Sequence, residues 1–308
     1  MGAQTTSTNL NSHAGDNGAP PSPWRDLWLT VRDGLKLYGR HYPAPGSRRR
    51  PVLCLAGLTR NSRDFHKLAI ELSGDGADAR DVYTFDCRGR GQSEHARQWQ
   101  DYAVPIEMFD VQDFMAAHQL HQAGIVGTSR GGLITMVLAA AQPSLVGPVV
   151  LNDIGPVIDR DGLLRISGYV GRTPVPSSWD DAARMLAQAN QAHFPEISGD
   201  EWREVARQWF NEANGRPAPG YDPKIARSFS VKEGAIPALW PQFGALKRSP
   251  CLVIRGALSD LLSEATVAQM QRLHPRLATF TVEQQGHAPL LRDDPSMARI
   301  KRFFAEHD

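Results

Sequence analysis

Gly127-Thr128-Ser129-Arg130-Gly131 sets a serine midway between two glycines, where a strand-like run (Gly124-Ile125-Val126) meets a helix-like run rich in Leu, Met and Ala. A serine hydroxyl is a weak nucleophile and needs a base within hydrogen-bond reach and open access for a substrate. A sharp strand-to-helix turn lifts the side chain clear of a sheet. It also crowds the backbone, so that small residues are needed two positions before and after the serine. The helix that follows offers unpaired N–H groups to developing negative charge. This spacing suits acyl transfer through Ser129.

The base should be a histidine further along. Of the ten, His287 is singled out because it follows the last strand-like run, in Gln285-Gly286-His287-Ala288-Pro289, where glycine and proline mark a tight loop. A carboxylate must then fix the imidazole tautomer and stabilise its charged form. Asp260, in Gly256-Ala257-Leu258-Ser259-Asp260, is the favoured acid. Asp153, in Asn152-Asp153-Ile154-Gly155-Pro156, is its rival and is read instead as an anchor at the entry to the next segment. The backbone N–H groups of Arg130 and of Leu58, which follows Ala56-Gly57, are expected to hold the oxyanion. The Arg130 side chain has two readings: a salt bridge to a neighbour, which is favoured, or a partner for a substrate carboxylate.

Eight strand-like runs position these residues, at 26–31, 36–42, 51–57, 81–87, 124–129, 147–153, 250–256 and 278–284. The middle ones are almost continuously apolar, as in strands buried on both faces. Helix-like stretches at 104–121, 130–142, 263–273 and 295–306 alternate with them. The expected fold is α/β: a mostly parallel eight-stranded sheet with helices on both faces, the first two strands forming an antiparallel hairpin at one edge. The rhythm breaks between 156 and 247, where no strand pattern shows. Ser178 and the capping box Ser198-Gly199-Asp200-Glu201 start two helices there. This segment is read as a helical cap between two core stretches, 24–155 and 248–308. Its tryptophans, Trp179, Trp202, Trp209 and Trp240, pack the cap or line a substrate pocket.

Composition narrows the partners. With 41% hydrophobic residues over 308 positions the chain can build a large core, and a net charge of +1 gives no reason to expect nucleic acid or an anionic membrane. Arg48, Arg49 and Arg50 read as a solvated loop. Cys54, Cys87 and Cys251 read as buried thiols, and no metal-like Cys/His spacing occurs, so neither metal nor cofactor is expected. Residues 1–23 read as a disordered polar tail without a signal-peptide pattern, and no apolar run is long enough to span a bilayer. The expectation is a soluble cytoplasmic protein acting on a small molecule, with its oligomeric state open.

Four stretches together resemble the α/β-hydrolase superfamily: LAGLTRNSRDF, DCRGRGQSE, VGTSRGG, and the pair GALSDLLS and GHAPLLRDDP. The chain order Ser129, Asp260, His287 is similar to that of the superfamily, and Asp86 to Ser93 resemble its D-x-R-G-x-G-x-S turn, which implies a brace for the site. One departure is Ala56-Gly57, where many relatives carry His-Gly. Asn61 or Arg60 would then brace the oxyanion loop. The resemblance implies a serine hydrolase of carboxylic esters or lactones. Serine at the nucleophile position speaks against the dehalogenase and epoxide hydrolase branches. Alternatives are carbon–carbon bond hydrolysis or cofactor-free oxygenation on the same fold, and a non-catalytic small-molecule binder.

Overall fold

The computed structural model describes residues 22–228 and 237–308. The expected tail, 1–23, lies outside the described residues except for its last two positions. The chain begins with β1 (Arg25–Thr30), β2 (Lys36–Tyr42), β3 (Val52–Leu55), α1 (His66–Ser73), β4 (Val82–Phe85), α2 (Val104–Ala117), β5 (Ala123–Thr128), α3 (Arg130–Ala141) and β6 (Val146–Asn152). There follow α4 (Arg160–Tyr169), α5 (Trp179–Asn190), α6 (Gly199–Trp209), β7 (Asn211–Ala213), β8 (Arg216–Ala218), α7 (Ile225–Ser228) and α8 (Trp240–Ala245). The chain closes with β9 (Cys251–Gly256), α9 (Glu264–Leu273), β10 (Leu277–Val282) and α10 (Asp294–Glu306).

Eight strands form one sheet in the order β1-β2-β4-β3-β5-β6-β9-β10. β1 pairs antiparallel with β2, and β2 antiparallel with β4; every other pairing is parallel. Alternation along the strands explains the layers. Leu53, Leu55, Ile125, Val149 and Val253 face one cluster with Phe114, Ile134 and Phe243. Their neighbours Val52, Cys54, Val126, Val150 and Leu252 face the other, with Leu68, Ile300 and Phe303. Both faces are apolar, so both need helices. The three cysteines are unpaired and buried, and burial pushes the Cys87 and Cys251 thiols up to about 12.

After β3 the chain goes to β4 on one side and then to β5 on the other, which makes a switch point at the carboxyl ends of β3 and β5. The segment between β6 and β9 lies above these ends. Its α5 and α6 start as expected: Ser198 and Glu201 form a reciprocal capping box, and Ser178 accepts from the Asp181 N–H. It has a core of its own, including Leu186, Phe194, Trp202 and Val205. Two features differ from expectation. β7 and β8 make a short antiparallel hairpin where no strand was foreseen, turning at Asn214-Gly215, both with positive φ. Helix α8 packs on α3, and its Phe243 joins the main core. Among the described residues no helix is long and apolar enough to cross a membrane.

Candidate active site

Ser129 sits on the sharp turn between β5 and α3 with φ 50° and ψ −114°, a conformation that costs energy for a residue with a side chain. Its neighbours make the turn possible. A Cβ on Gly131 would lie 2.1 Å from the Leu55 carbonyl oxygen, and one on Gly127 2.7 Å from the Gly132 nitrogen. The Ser129 N–H donates to the Asn152 carbonyl at 3.0 Å, which ties the turn to the end of β6.

His287 Nε2 lies 2.9 Å from Ser129 Oγ, and His287 Nδ1 lies 2.8 Å from Asp153 Oδ2. An ionised carboxylate only accepts, so Nδ1 carries the proton and Nε2 accepts from the serine. The acid in contact with the histidine is therefore Asp153, the rival, and the favoured assignment to Asp260 is corrected. The sheet register explains the outcome. Thr128 pairs with Asn152, so Ser129 and Asp153 leave adjacent strands at the same height. The loop after β10 must cross the end of β9 to reach them. It does so over Gly256, where a Cβ would lie 2.4 Å from the Gln285 carbonyl oxygen and 2.6 Å from that of Gly286. Asn152 then holds the loop through the Pro289 carbonyl at 2.9 Å. Asp153 is fully buried and also accepts from the Gly256 N–H at 2.9 Å and the Ser259 hydroxyl at 2.6 Å.

Asp260, which lies beyond this crossing, faces the segment above the sheet. It takes Arg165 Nε at 2.6 Å and Nη2 at 2.8 Å. Burial alone would raise its carboxyl, but the Arg165 hydrogen bonds and charge outweigh this and leave it below the ordinary value. The pair joins α4 to the β9 loop.

Ser129 and His287 open on a cavity of about 580 Å³ bounded by the loop after β3, by α4 and by parts of α5 and α6. Of the four tryptophans only Trp209 lines it, with the Arg60 guanidinium 3.2 Å above its ring. Trp202 is buried inside the α5–α6 core. Trp179 donates to the Gly215 carbonyl at 3.1 Å, and Trp240 packs on the main core. Those three assignments to the pocket are corrected. Amphipathic spacing alone could not tell the inner face of α6 from its cavity-facing edge.

The family model described as alpha/beta hydrolase fold matches residues 50–294. This chain belongs to the α/β-hydrolase fold family. It is 34% identical over 286 residues to a 3-hydroxybutyrate-oligomer hydrolase of Cupriavidus necator, covering 88% of this chain and 94% of that one. It is 27% identical over 242 residues to a 2-(acetamidomethylene)succinate hydrolase of Mesorhizobium japonicum, covering 77% and 81%. The crystal structure of an alpha/beta hydrolase from Novosphingobium aromaticivorans superimposes with a TM-score of 0.85 at 38% identity, covering 93% of this chain and 99% of the other.

Within this hydrolase fold, Leu58 and Ser129 line the same cavity, and Arg130 is the first residue of α3. Among the described residues neither the Leu58 nor the Arg130 N–H has a hydrogen-bond partner. The brace of the Leu58 loop is neither Asn61 nor Arg60. Asn61 caps the following turn and donates to the Gln208 carbonyl at 2.9 Å, and Arg60 pairs with Asp64 at 2.9 Å. The Leu58 carbonyl instead accepts from Arg90 Nε at 2.8 Å. The D-x-R-G-x-G-x-S turn supports the same loop, since Asp86 accepts from the Ser62 N–H at 2.6 Å and the Gln92 N–H at 2.8 Å. A Cβ on Gly91 would fall 2.0 Å from that carboxylate. The Arg130 side chain follows its favoured reading: it pairs with Glu107 at 2.6 Å and is absent from the cavity wall.

Proposed function

We propose that this protein is a serine hydrolase that cleaves a carboxylic ester or lactone of a small to medium substrate through an acyl-enzyme. The observation that carries this reading is the hydrogen-bonded chain Ser129–His287–Asp153, with Ser129 and His287 lining a cavity of about 580 Å³. Ser129 Oγ attacks the carbonyl while His287 Nε2 takes its proton, and Asp153 holds the tautomer and stabilises the imidazolium. The N–H groups of Leu58 and Arg130 stabilise the oxyanion. His287 then protonates the leaving alcohol, and a water deprotonated by His287 frees the acid and restores Ser129. Within residues 156–247, α4, α5 and α6 act as the cap that selects the substrate.

The substrate class we favour is a short oligoester of a hydroxy acid. Two things support it: the name of the Cupriavidus necator relative, and a mainly apolar cavity wall that also carries Arg172, suited to an ester chain with a terminal carboxylate. Turnover of 3-hydroxybutyrate dimer and trimer tests it beside a p-nitrophenyl butyrate control. Wild type should release monomer, and Ser129→Ala should lose on the order of 10⁴-fold or more in kcat. Activity that survives in Ser129→Ala, or turnover of diketones with none of esters and lactones, would overturn the reading.

A further inference from the structure

The two donors assigned to the oxyanion belong to different loops, after β3 and after β5. An oxyanion hole works only when both donors stand about 3 Å from one oxygen position, so the separation of these loops matters. A single buried carboxylate reaches both. Glu107, on α2, is fully buried. Its Oε1 accepts from Arg90 Nη1 at 2.5 Å, and its Oε2 from Arg130 Nε at 2.6 Å. Arg90 is 1% exposed and spends its Nε on the Leu58 carbonyl at 2.8 Å and Nη1 also on the Arg88 carbonyl at 2.7 Å. Arg130 Nη2 closes on the Tyr102 carbonyl. An unbroken path therefore runs Leu58–Arg90–Glu107–Arg130 from one donor residue to the other, and neither Arg90, Glu107 nor Arg130 lines the cavity.

Stability is a poor reason for this arrangement. Burying three charges costs several kcal/mol per ion, and apolar residues of equal volume often do as well or better. What apolar residues cannot do is fix a carbonyl and a helix start relative to each other, because dispersion has no direction. We propose that Glu107 is a positioning residue which, through Arg90 and Arg130, sets the spacing of the Leu58 and Arg130 N–H groups. The inference rests on the ester-hydrolase reading above.

Its signature is a defect confined to the transition state. In Glu107→Gln, counted per active site by fluorophosphonate titration, kcat on p-nitrophenyl butyrate should fall by about 10- to 100-fold, with KM changed by less than about threefold. Affinity for a trifluoromethyl ketone, which adds Ser129 Oγ to form a tetrahedral adduct, should fall by the same factor. Arg90→Lys keeps the buried charge count but cannot fork to Leu58 and Glu107 together. It should show the same split, and it decides the matter if Glu107→Gln does not fold. Per-site kcat and ketone affinity at wild-type values, or KM rising as much as kcat falls, would overturn the positioning role. Wild type that hydrolyses no ester would instead overturn the reading beneath it.

Discussion

Asp153 and Asp260 follow neighbouring parallel strands, β6 and β9, and each carboxylate holds a basic side chain, yet their surroundings differ in kind. Asp153 directly follows the last residue of its strand, is fully buried, has φ 54°, and is gripped by a backbone N–H, a hydroxyl and an imidazole. Asp260 lies further along its loop with its side chain 24% exposed, and it grips one arginine of α4. The first setting is rigid and dry, and it fixes one tautomer of one ring. The second joins two layers where water competes for both charges. The loop carrying His287 passes over the end of β9, so the nearer aspartate in sequence is bypassed and the one on the next strand is reached.

The largest expected effect separates the two directly. Asp153→Asn should lower kcat by about 10⁴-fold with little change in fold, because an amide facing Nδ1 favours the wrong tautomer. Comparable loss in Asp260→Asn would reverse the comparison. Gly256→Ala comes next. Its methyl would push the Gln285 and Gly286 carbonyls outward and displace His287, so kcat should fall by about 100-fold while KM holds. An unchanged kcat would show that the crossing is not what places the ring.

Smaller still, Ser259→Ala removes one donor to Asp153 and should cost about 1 kcal/mol, read as roughly a fivefold drop in kcat/KM. Asp260→Asn should change kcat by less than about threefold and lower stability by about 1 kcal/mol or less. The folded Asp260 carboxyl titrates below its ordinary value of 3.8, so its contribution is present above about pH 4 and is lost as pH falls through the folded pKa. Urea unfolding of wild type and Asp260→Asn should therefore differ at pH 7, and the difference should shrink as pH falls below about 4. A difference that does not shrink at all as pH falls below about 4 would contradict the ion pair's role.

Much of this was legible in the residues. All eight strands of the main sheet overlap the expected runs, and β3, β5, β6 and β9 read most clearly, because parallel strands buried on both faces leave few polar positions. Ser129 stood out because the turn demands glycines that little else explains, and His287 because it follows the last strand. The acid did not stand out. Which of two strand-end carboxylates meets the ring depends on strand order and on where one loop crosses, and neither leaves a local trace except Gly256. The β7–β8 hairpin did carry a signal, the Asn214-Gly215 pair, but its strands are three residues each and too short to alternate visibly. Glu107 was hidden for another reason: on an apolar helix a lone glutamate reads as solvated until its partners come from elsewhere in the chain.

The hydrogen bond between His287 and its carboxylate is the centre of this account, and low-field proton NMR reads it without any substrate. The His287 Nδ1–H should resonate far downfield of the amides, be identified by its absence in His287→Ala, vanish or move sharply upfield in Asp153→Asn, and stay in place in Asp260→Asn. A resonance that persists unmoved in Asp153→Asn and is lost in Asp260→Asn would contradict it.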